Sequence, residues 1–513
     1  MVEATARLRN FEGVVSTLAE RGHIVRIAAR PKKCRLRVPP RMDHPSVSVV
    51  ECPTERSDAW AEVVRPLRAT RDYARFLDPL FGHAEALRGR ANGVVASAFL
   101  RFCERHAWLK RRWRLIGQAL GIVEEVIPSD PAFDRFVESE RPDIILITPL
   151  IQFSSYQTDY VKSAHQLGIP IALLVFSWDN LTSKGLMRVI PDRVFVWNRT
   201  QRWEAVRLHG APARDVVVTG APRFDRFFAL RPSIDRVRFC REHGLDPRRP
   251  FIAYLCSSDF VAPREVEFVR RWVGEIRRST DSALRSCGVL VRLHPASTPQ
   301  WEGADLSDLP GVAVQQPEAS GDAEQSLYDS LHHAAAAVGL NTSALLEAGI
   351  VGKAVHTILA SDSAPGQQGS VHFDYLLRSD GGLLTVARNF DEHRAQLAAA
   401  LASDSPRCER SLRFIEGFVR PHGLDQPATP IMVREIERLA AIRKRPRRRT
   451  PLWHYPARLA LMAWIPGWIA RARGGAPPRR PGGAKGLAES AAPSLATPRA
   501  TELAEPGRRE PLG

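Results

Sequence analysis

The stretch Val338-Gly-Leu-Asn-Thr-Ser-Ala-Leu-Leu-Glu-Ala-Gly-Ile-Val-Gly-Lys-Ala-Val355 decides the fold. An apolar run, Ala336–Leu340, ends in a polar turn. An apolar helical pattern over Ser343–Ile350 follows, and a second run, Ala354–Ile358, comes directly after it. Strand, turn, helix and strand in that order form the repeating unit of a parallel sheet. Asn341, Thr342 or Ser343 can cap the helix. The free N–H groups of its first turn, with the helix dipole, suit phosphate oxygens. Gly339 lets a backbone come close. Glu347 lies four residues beyond Ser343, so both face one side and Glu347 can accept hydrogen bonds from a ribose or sugar hydroxyl. On local physics alone, an ordinary capped strand–helix turn remains the competing reading.

The same alternation extends in both directions. Strands are expected at Ile24–Ala29, Val47–Val50, Asp143–Thr148, Ile171–Phe176, Val194–Trp197 and Val216–Thr219. A second series is expected at Phe251–Leu255, Val289–Leu293, Val312–Gln315, Ala336–Leu340, Ala354–Ile358 and Leu383–Val386. The polar, proline-broken segment Arg231–Pro250 separates the two series. The expected organisation is therefore α/β, with two Rossmann-like domains facing across a cleft: 1–230, a linker at 231–250, and 251–440. A long helical insertion lies between the second and third strands, and its Trp108–Arg114 segment reads as a solvated helix face. Ala6–Glu20 reads as a helix with no strand before it, although a doubly wound domain opens on a strand. Either the native protein begins further upstream or the fold lacks its first strand.

Charge is unevenly placed. The chain carries a formal +17, and its last part, Ala441–Gly513, has 15 Lys/Arg against 4 Asp/Glu. The domains themselves are close to balanced, and no basic groove with interleaved aromatics points to nucleic acid. Cations at Arg443–Arg449 precede an apolar, Trp-bearing stretch at Trp453–Ala470 that Pro456, Arg458 and Pro466 interrupt. Segment 441–473 thus suits an anionic membrane surface and is too broken to span it, while packing back on the domains is the competing reading. Segment 474–513 has the composition of a disordered tail. Seven scattered cysteines without a CxxC pair read as reduced thiols, with neither a disulfide framework nor a metal site. No secretory signal is seen, so the expected location is cytoplasmic, peripheral at the inner face of the membrane.

Three further segments carry polar groups at strand ends. Tyr254-Leu-Cys-Ser257-Ser258 offers hydroxyls and amides. Gly366–Phe373 contains His372, able to meet a sugar or base. The loop Phe176-Ser-Trp-Asp-Asn-Leu-Thr-Ser-Lys-Gly185 offers Trp178 as a stacking face, Asp179 as a carboxylate, and Asn180 and Lys184 as polar contacts. Such loops lie over the carboxyl ends of strands, where open sheets bind ligands. An Asx-rich turn that only caps a helix is the alternative there.

The Gly/Ser/Thr turn, the Glu-Ala-Gly helix and Gly-Lys-Ala-Val together are similar to the donor-binding segment of GT-B glycosyltransferases and of UDP-N-acetylglucosamine 2-epimerases. Val291-Arg292-Leu-His294-Pro295 resembles the strand-ending motif of CDP-glycerol glycerophosphotransferase-like members. The segments Ser177–Gly185, Val194–Asn198 and Val218–Asp225 look like a lineage of bacterial surface-carbohydrate GT-B proteins, with Ala221 where their TGNP-like piece has Asn. Leu8–Glu12 resembles their first turn and helix, leaving Arg9 and Asn10 at the cleft.

The resemblance implies a nucleotide-sugar donor as co-substrate, with no cofactor and no metal. The donor would be held by Ser257, Ser258, Arg292, Asn341, Thr342, Ser343, Glu347 and His372. A carbohydrate or lipid-linked acceptor would meet Arg9, Asn10, Trp178, Asn180 and Lys184. Asp179 would serve as base and His294 would stabilise the leaving group. The implied activity is inverting glycosyl transfer. A glycerol- or ribitol-phosphate transferase, a hydrolysing 2-epimerase and an inert carbohydrate-assembly scaffold are the alternatives.

Overall fold

A computed structural model describes residues 1–2, 5–30, 40–82, 84–93, 95, 105, 108, 112–153, 155–295, 298–304, 306–317, 322–368, 371–403, 407–442, 446 and 449–473. Among them, the first domain carries β1 (Val25–Ala29) and β2 (Val47–Glu51), paired in parallel. It also carries a parallel sheet of β3 (Ile145–Ile147), β4 (Ile171–Leu174), β5 (Arg193–Val196) and β6 (Val216–Val218), in that order. Val2 joins the two pieces by parallel bridges to Ala29 and to Thr148. Its N–H donates to the Ala28 carbonyl at 2.9 Å, and the Thr148 N–H donates to the Met1 carbonyl at 3.1 Å. The place of the expected first strand is held by Met1 and Val2, so the helix that follows starts from a sheet position after all.

The insertion between β2 and β3 contains helices Ala61–Arg75 and Trp113–Val126, packed on one another. A buried ionic network fixes them to helix Gln157–Leu167. Arg68 donates to Glu124 at 3.0 Å and to Asp159 at 2.7 Å, and Lys162 reaches Glu124 at 2.9 Å. Buried ion pairs return little net stability after desolvation, but they tolerate only one arrangement of their partners. Of the Trp108–Arg114 segment, residues 109–111 lie outside the described residues, and Trp108, Arg112 and Arg114 are exposed, as a solvated face requires.

The second domain is a parallel sheet of β7 (Phe251–Leu255), β8 (Gly288–Arg292), β9 (Val312–Gln315), β10 (Ala336–Gly339), β11 (Ala354–Ile358) and β12 (Leu384–Ala387). The order is β12-β11-β10-β7-β8-β9, the doubly wound arrangement whose direction of travel reverses between β7 and β10. Both faces are covered, which is why β7 and β10 read as unbroken apolar runs. All the expected strands are present within two residues at either end.

The boundary expected at residue 440 is corrected. Helix Ala428–Ala440 leaves the second domain and packs on helix Glu12–Glu20 of the first. There Met432, Val433 and Ile436 share a core with Phe11, Val14, Leu18 and Leu174. Its amphipathic pattern demanded an apolar partner, and the nearest uncovered one belongs to the first sheet. Asp225 clasps the crossing, accepting from the Ala428 and Thr429 N–H groups at 3.0 and 2.6 Å and from Arg420 at 3.0 Å. Gly220, at φ +84°, passes so close that an added Cβ would lie 2.9 Å from that of Ala428. The chain therefore passes between the domains twice.

Helix His454–Arg473 runs through Pro456 and Pro466. No described helix is long and apolar enough to cross a membrane. Of the basic run only Pro446 and Arg449 are described, and 474–513 lies outside the described residues.

Candidate functional site

The reversal of strand order puts the ends of β7 and β10 side by side, and the residues just beyond them form the floor of a crevice. Gly339 is required there, because a Cβ would sit 2.9 Å from the Leu255 carbonyl oxygen and 3.1 Å from Leu345. Two residues on, the Asn341 N–H donates to Ser257 Oγ at 3.3 Å, tying the two strand ends together. Gln367, fully buried, holds the turn from below. Its amide nitrogen donates to the Leu340 carbonyl at 3.1 Å and to the Ile358 carbonyl at 3.0 Å, and its Oε1 accepts from Ala360 N–H at 3.0 Å. The Ser257 N–H donates to both Glu265 oxygens, at 3.0 and 2.9 Å, and burial pushes Glu265 up to about 8, so it holds a proton at neutral pH. The floor is rigid because its polar groups are satisfied.

The wall is different. The amides of Thr342, Ser343 and Ala344 have no hydrogen-bond acceptor among the described residues. The helix they precede has only seven residues, so these amides, more than a macrodipole, are what the turn offers an anion. Glu347, 7% exposed, accepts from Arg223 of the first domain at 3.3 Å through Oε1, and its buried Oε2 has no partner among the described residues. Burial pushes Glu347 up to about 7, with Arg223 opposing. A carboxylate held so, with one oxygen open, accepts hydrogen bonds from hydroxyls of a bound molecule.

Cations converge on this carboxylate. Arg9 lies within electrostatic reach of Arg223, Glu347 and Glu324. His294, just past β8, feels both Asp259 and Arg9. Burial lowers the His294 pKa and Arg9 lowers it further, so the imidazole is neutral at pH 7. Beside this group a cavity of about 230 Å³ opens between the domains, lined by Arg9, Glu12, Arg41, Arg223, Arg226 and Glu324. Arg226 is paired with Asp322 and Glu324, and Arg41 stands 3.5 Å from Asp322. Arg9 and Glu347, expected from separate stretches of sequence, are thus brought together beside the Asn341–Ser343 turn, with His294 in electrostatic reach of Arg9.

Other expected site residues are placed differently. Asp179 accepts from Ser177 Oγ at 2.6 Å and from Ser183 Oγ at 2.7 Å. Burial raises its pKa, but Lys184, His372 and those hydroxyls outweigh burial and hold it below the carboxylate range. A carboxylate with both oxygens occupied and a depressed pKa is a poor proton acceptor, which weighs against Asp179 as the base. Trp178 is 6% exposed, its ring 4.8 Å from His372 edge-on and 6.4 Å from Phe418. It packs the domains together and presents no stacking face, and His372 is drawn into the same contact. Asn180 Oδ1 accepts from the Ser177 N–H at 3.1 Å, three residues back, so it braces the loop, and the helix Asn180–Ser183 that follows has no side-chain cap. The Lys184 carbonyl accepts from buried Arg75 while its amine stays beside Asp179.

Arg292 donates to Ser326 and Ser330 at 3.0 and 3.2 Å, bonding β8 to helix Ala323–His333 away from the turn. Asn10 is buried and bonds the Arg7 carbonyl at 2.9 Å. Ser258 is half-buried, its carbonyl accepting from Val261 and Ala262. Sequence reasoning did not single out Arg223, Gln367 or Glu265. Arg223 directly follows Thr219-Gly-Ala-Pro222, so its position near the linker was the available signal; Gln367 and Glu265 act only through folded contacts.

No protein-family model and no curated protein matches the sequence. Among solved structures, the chain is similar to WaaG, a glycosyltransferase involved in lipopolysaccharide biosynthesis, at 11% identity and TM-score 0.43, over 85% of this chain and 96% of that one. It is similar to a glycosyltransferase from Rickettsia africae at 9% identity and TM-score 0.45, covering 85% and 93%. It is also similar to UDP-GlcNAc 2-epimerase from Neisseria meningitidis bound to UDP-GlcNAc, at 10% identity and TM-score 0.44, covering 85% and 98%.

Proposed function

We propose that this chain moves a sugar from a nucleotide-sugar to a surface-polysaccharide, glycolipid or lipid-linked acceptor, without a metal and with inversion. The observation that carries the reading is Glu347. It is a buried acceptor beside the switch-point crevice, one oxygen held by a cation from the facing domain and the other open. In this reading Glu347 grips a ribose or sugar hydroxyl of the donor. The amides of Thr342–Ala344 and the cation Arg9 face the diphosphate, where negative charge grows as the anomeric C–O bond breaks. The acceptor hydroxyl attacks the opposite face of the anomeric carbon, and its proton passes to a base. Neutral His294 donates an N–H to the leaving diphosphate beside Arg9, and the acceptor's proton departs on the opposite face, away from His294. The protein works at the inner face of a membrane.

Calorimetric titration with UDP-, GDP- and CMP-sugars and with CDP-glycerol tests the proposal. Saturable binding of one nucleotide-sugar, with diphosphate release that requires acceptor, is the expected result. Preference for CDP-glycerol would replace it with phosphopolyol transfer, and binding of none would leave a scaffold.

A further inference from the structure

Two helices far apart in sequence meet on the outside of the first domain. The Arg458 guanidinium donates to the Val126 carbonyl at 2.8 Å. Leu461 joins Leu120 and Val123 over one small core of Trp60, Val64, Leu67 and Ile127. Because helices Trp113–Val126 and His454–Arg473 rest their inner sides on the same core, their outer sides both look away from the fold.

Those outer sides are apolar. Leu452, Tyr455, Leu459 and Met462 recur at helical spacing and are 85%, 53%, 72% and 45% exposed. Leu115 and Ile122, two turns apart on the neighbouring helix, are 56% and 55% exposed. A single exposed leucine is ordinary, but rows of them on adjacent helices mark a surface that is covered in use. The flanks select what covers it. Between residues 443 and 473 the sequence has nine Lys/Arg and no Asp/Glu. Exposed Arg112 and Arg114 open the other helix, whose Glu124 is buried, leaving Glu125 as its exposed acid. A second copy of the chain would set cations against cations. A bilayer with anionic headgroups offers charge to the flanks and hydrocarbon to the rows.

We propose that these two helices form one docking surface for an anionic lipid bilayer, lying in its interface. The surface stands independently of which reaction the cleft performs, since no cleft residue belongs to it.

The test is co-sedimentation of the full-length chain with phosphatidylcholine vesicles, with and without one-third phosphatidylglycerol. Recovery with the anionic vesicles is expected to exceed that with the neutral ones and to fall as salt rises. The variants L459E/M462E and L115E/I122E should each lower partitioning about tenfold or more, with unchanged thermal melting because both change exposed positions. L459S/M462S, which adds no charge, should also lower it. Equal recovery of all variants overturns the proposal. So does loss confined to the tail variants, which would make the tail helix a lone anchor. A wild-type dimer converted to monomer by L459E/M462E, without vesicle binding, overturns it in favour of self-association.

Discussion

Arg223 and Glu347 meet at 3.3 Å across the cleft, one from each domain, and Glu347 keeps its second oxygen buried and unpartnered among the described residues. The pair defines a polarity for the site: the second domain supplies the acceptor atom and the first supplies the charge that holds it. E347Q keeps the shape but removes the charge-assisted bonds. Donor affinity should drop about tenfold to a hundredfold, the equivalent of about 1.5–3 kcal/mol for hydrogen bonds to a charged group. Titration of the nucleotide-sugar bound by the wild type checks this, and unchanged affinity would take Glu347 out of the donor site.

Glu347 also ties stability to pH. Its pKa rises from 4.5 to about 7 on folding, and that of fully buried Glu204 to about 8, both chiefly through burial. The folded chain therefore holds protons that the unfolded chain has already lost. Stability is highest below the unfolded value, falls as pH rises toward the folded one, and levels off above it. Urea midpoints should decline from about pH 5 to about pH 8. E347Q should flatten the part of the decline that ends near 7, by about 1–3 kcal/mol. A parallel decline in the variant would count against this assignment.

Asp179 has the opposite sign. Its folded pKa is depressed, so its stabilising contribution is present above the ordinary carboxylate value and lost as pH falls through the folded one. D179N should cost about 1–2 kcal/mol through weaker bonds from Ser177 and Ser183, while turnover per folded molecule persists. Full stability with abolished turnover would restore Asp179 as the base.

At the domain crossing, D225A removes an acceptor for two helix-end amides and for Arg420. A loss of about 2 kcal/mol or more is expected, with D225N recovering part of it. Thermal melting reads both, and a neutral D225A would show that the crossing helix is held by its apolar face alone.

The sheets were legible in the sequence because strands buried on both faces must be apolar throughout, and the turn between β10 and the next helix announced itself by its polarity. The position of Glu347 beside that turn was legible from its spacing to Ser343. The helix at Ala428–Ala440 was not, since amphipathicity states that a face is buried and not against which sheet. Trp178 beside Asp179 reads as a sugar platform until His372 and Phe418, distant in sequence, cover its ring. Arg292 ends a strand whose alternation decides its side, and one position turned it toward Ser326.

The double passage between the domains has a mechanical consequence. Two connections, at the Arg231–Pro250 segment and at the Val419–Ala428 clasp, tether one lobe to the other. Two tethers hold the lobes at two points where a single linker would hold them at one. Arg223 lies two residues from the clasped Asp225, so its contact with Glu347 is made beside one of these tethers. Arg41, 3.5 Å from Asp322, joins the lobes at a third place by charge alone. The crevice between the lobes is therefore bounded by covalent chain at two places.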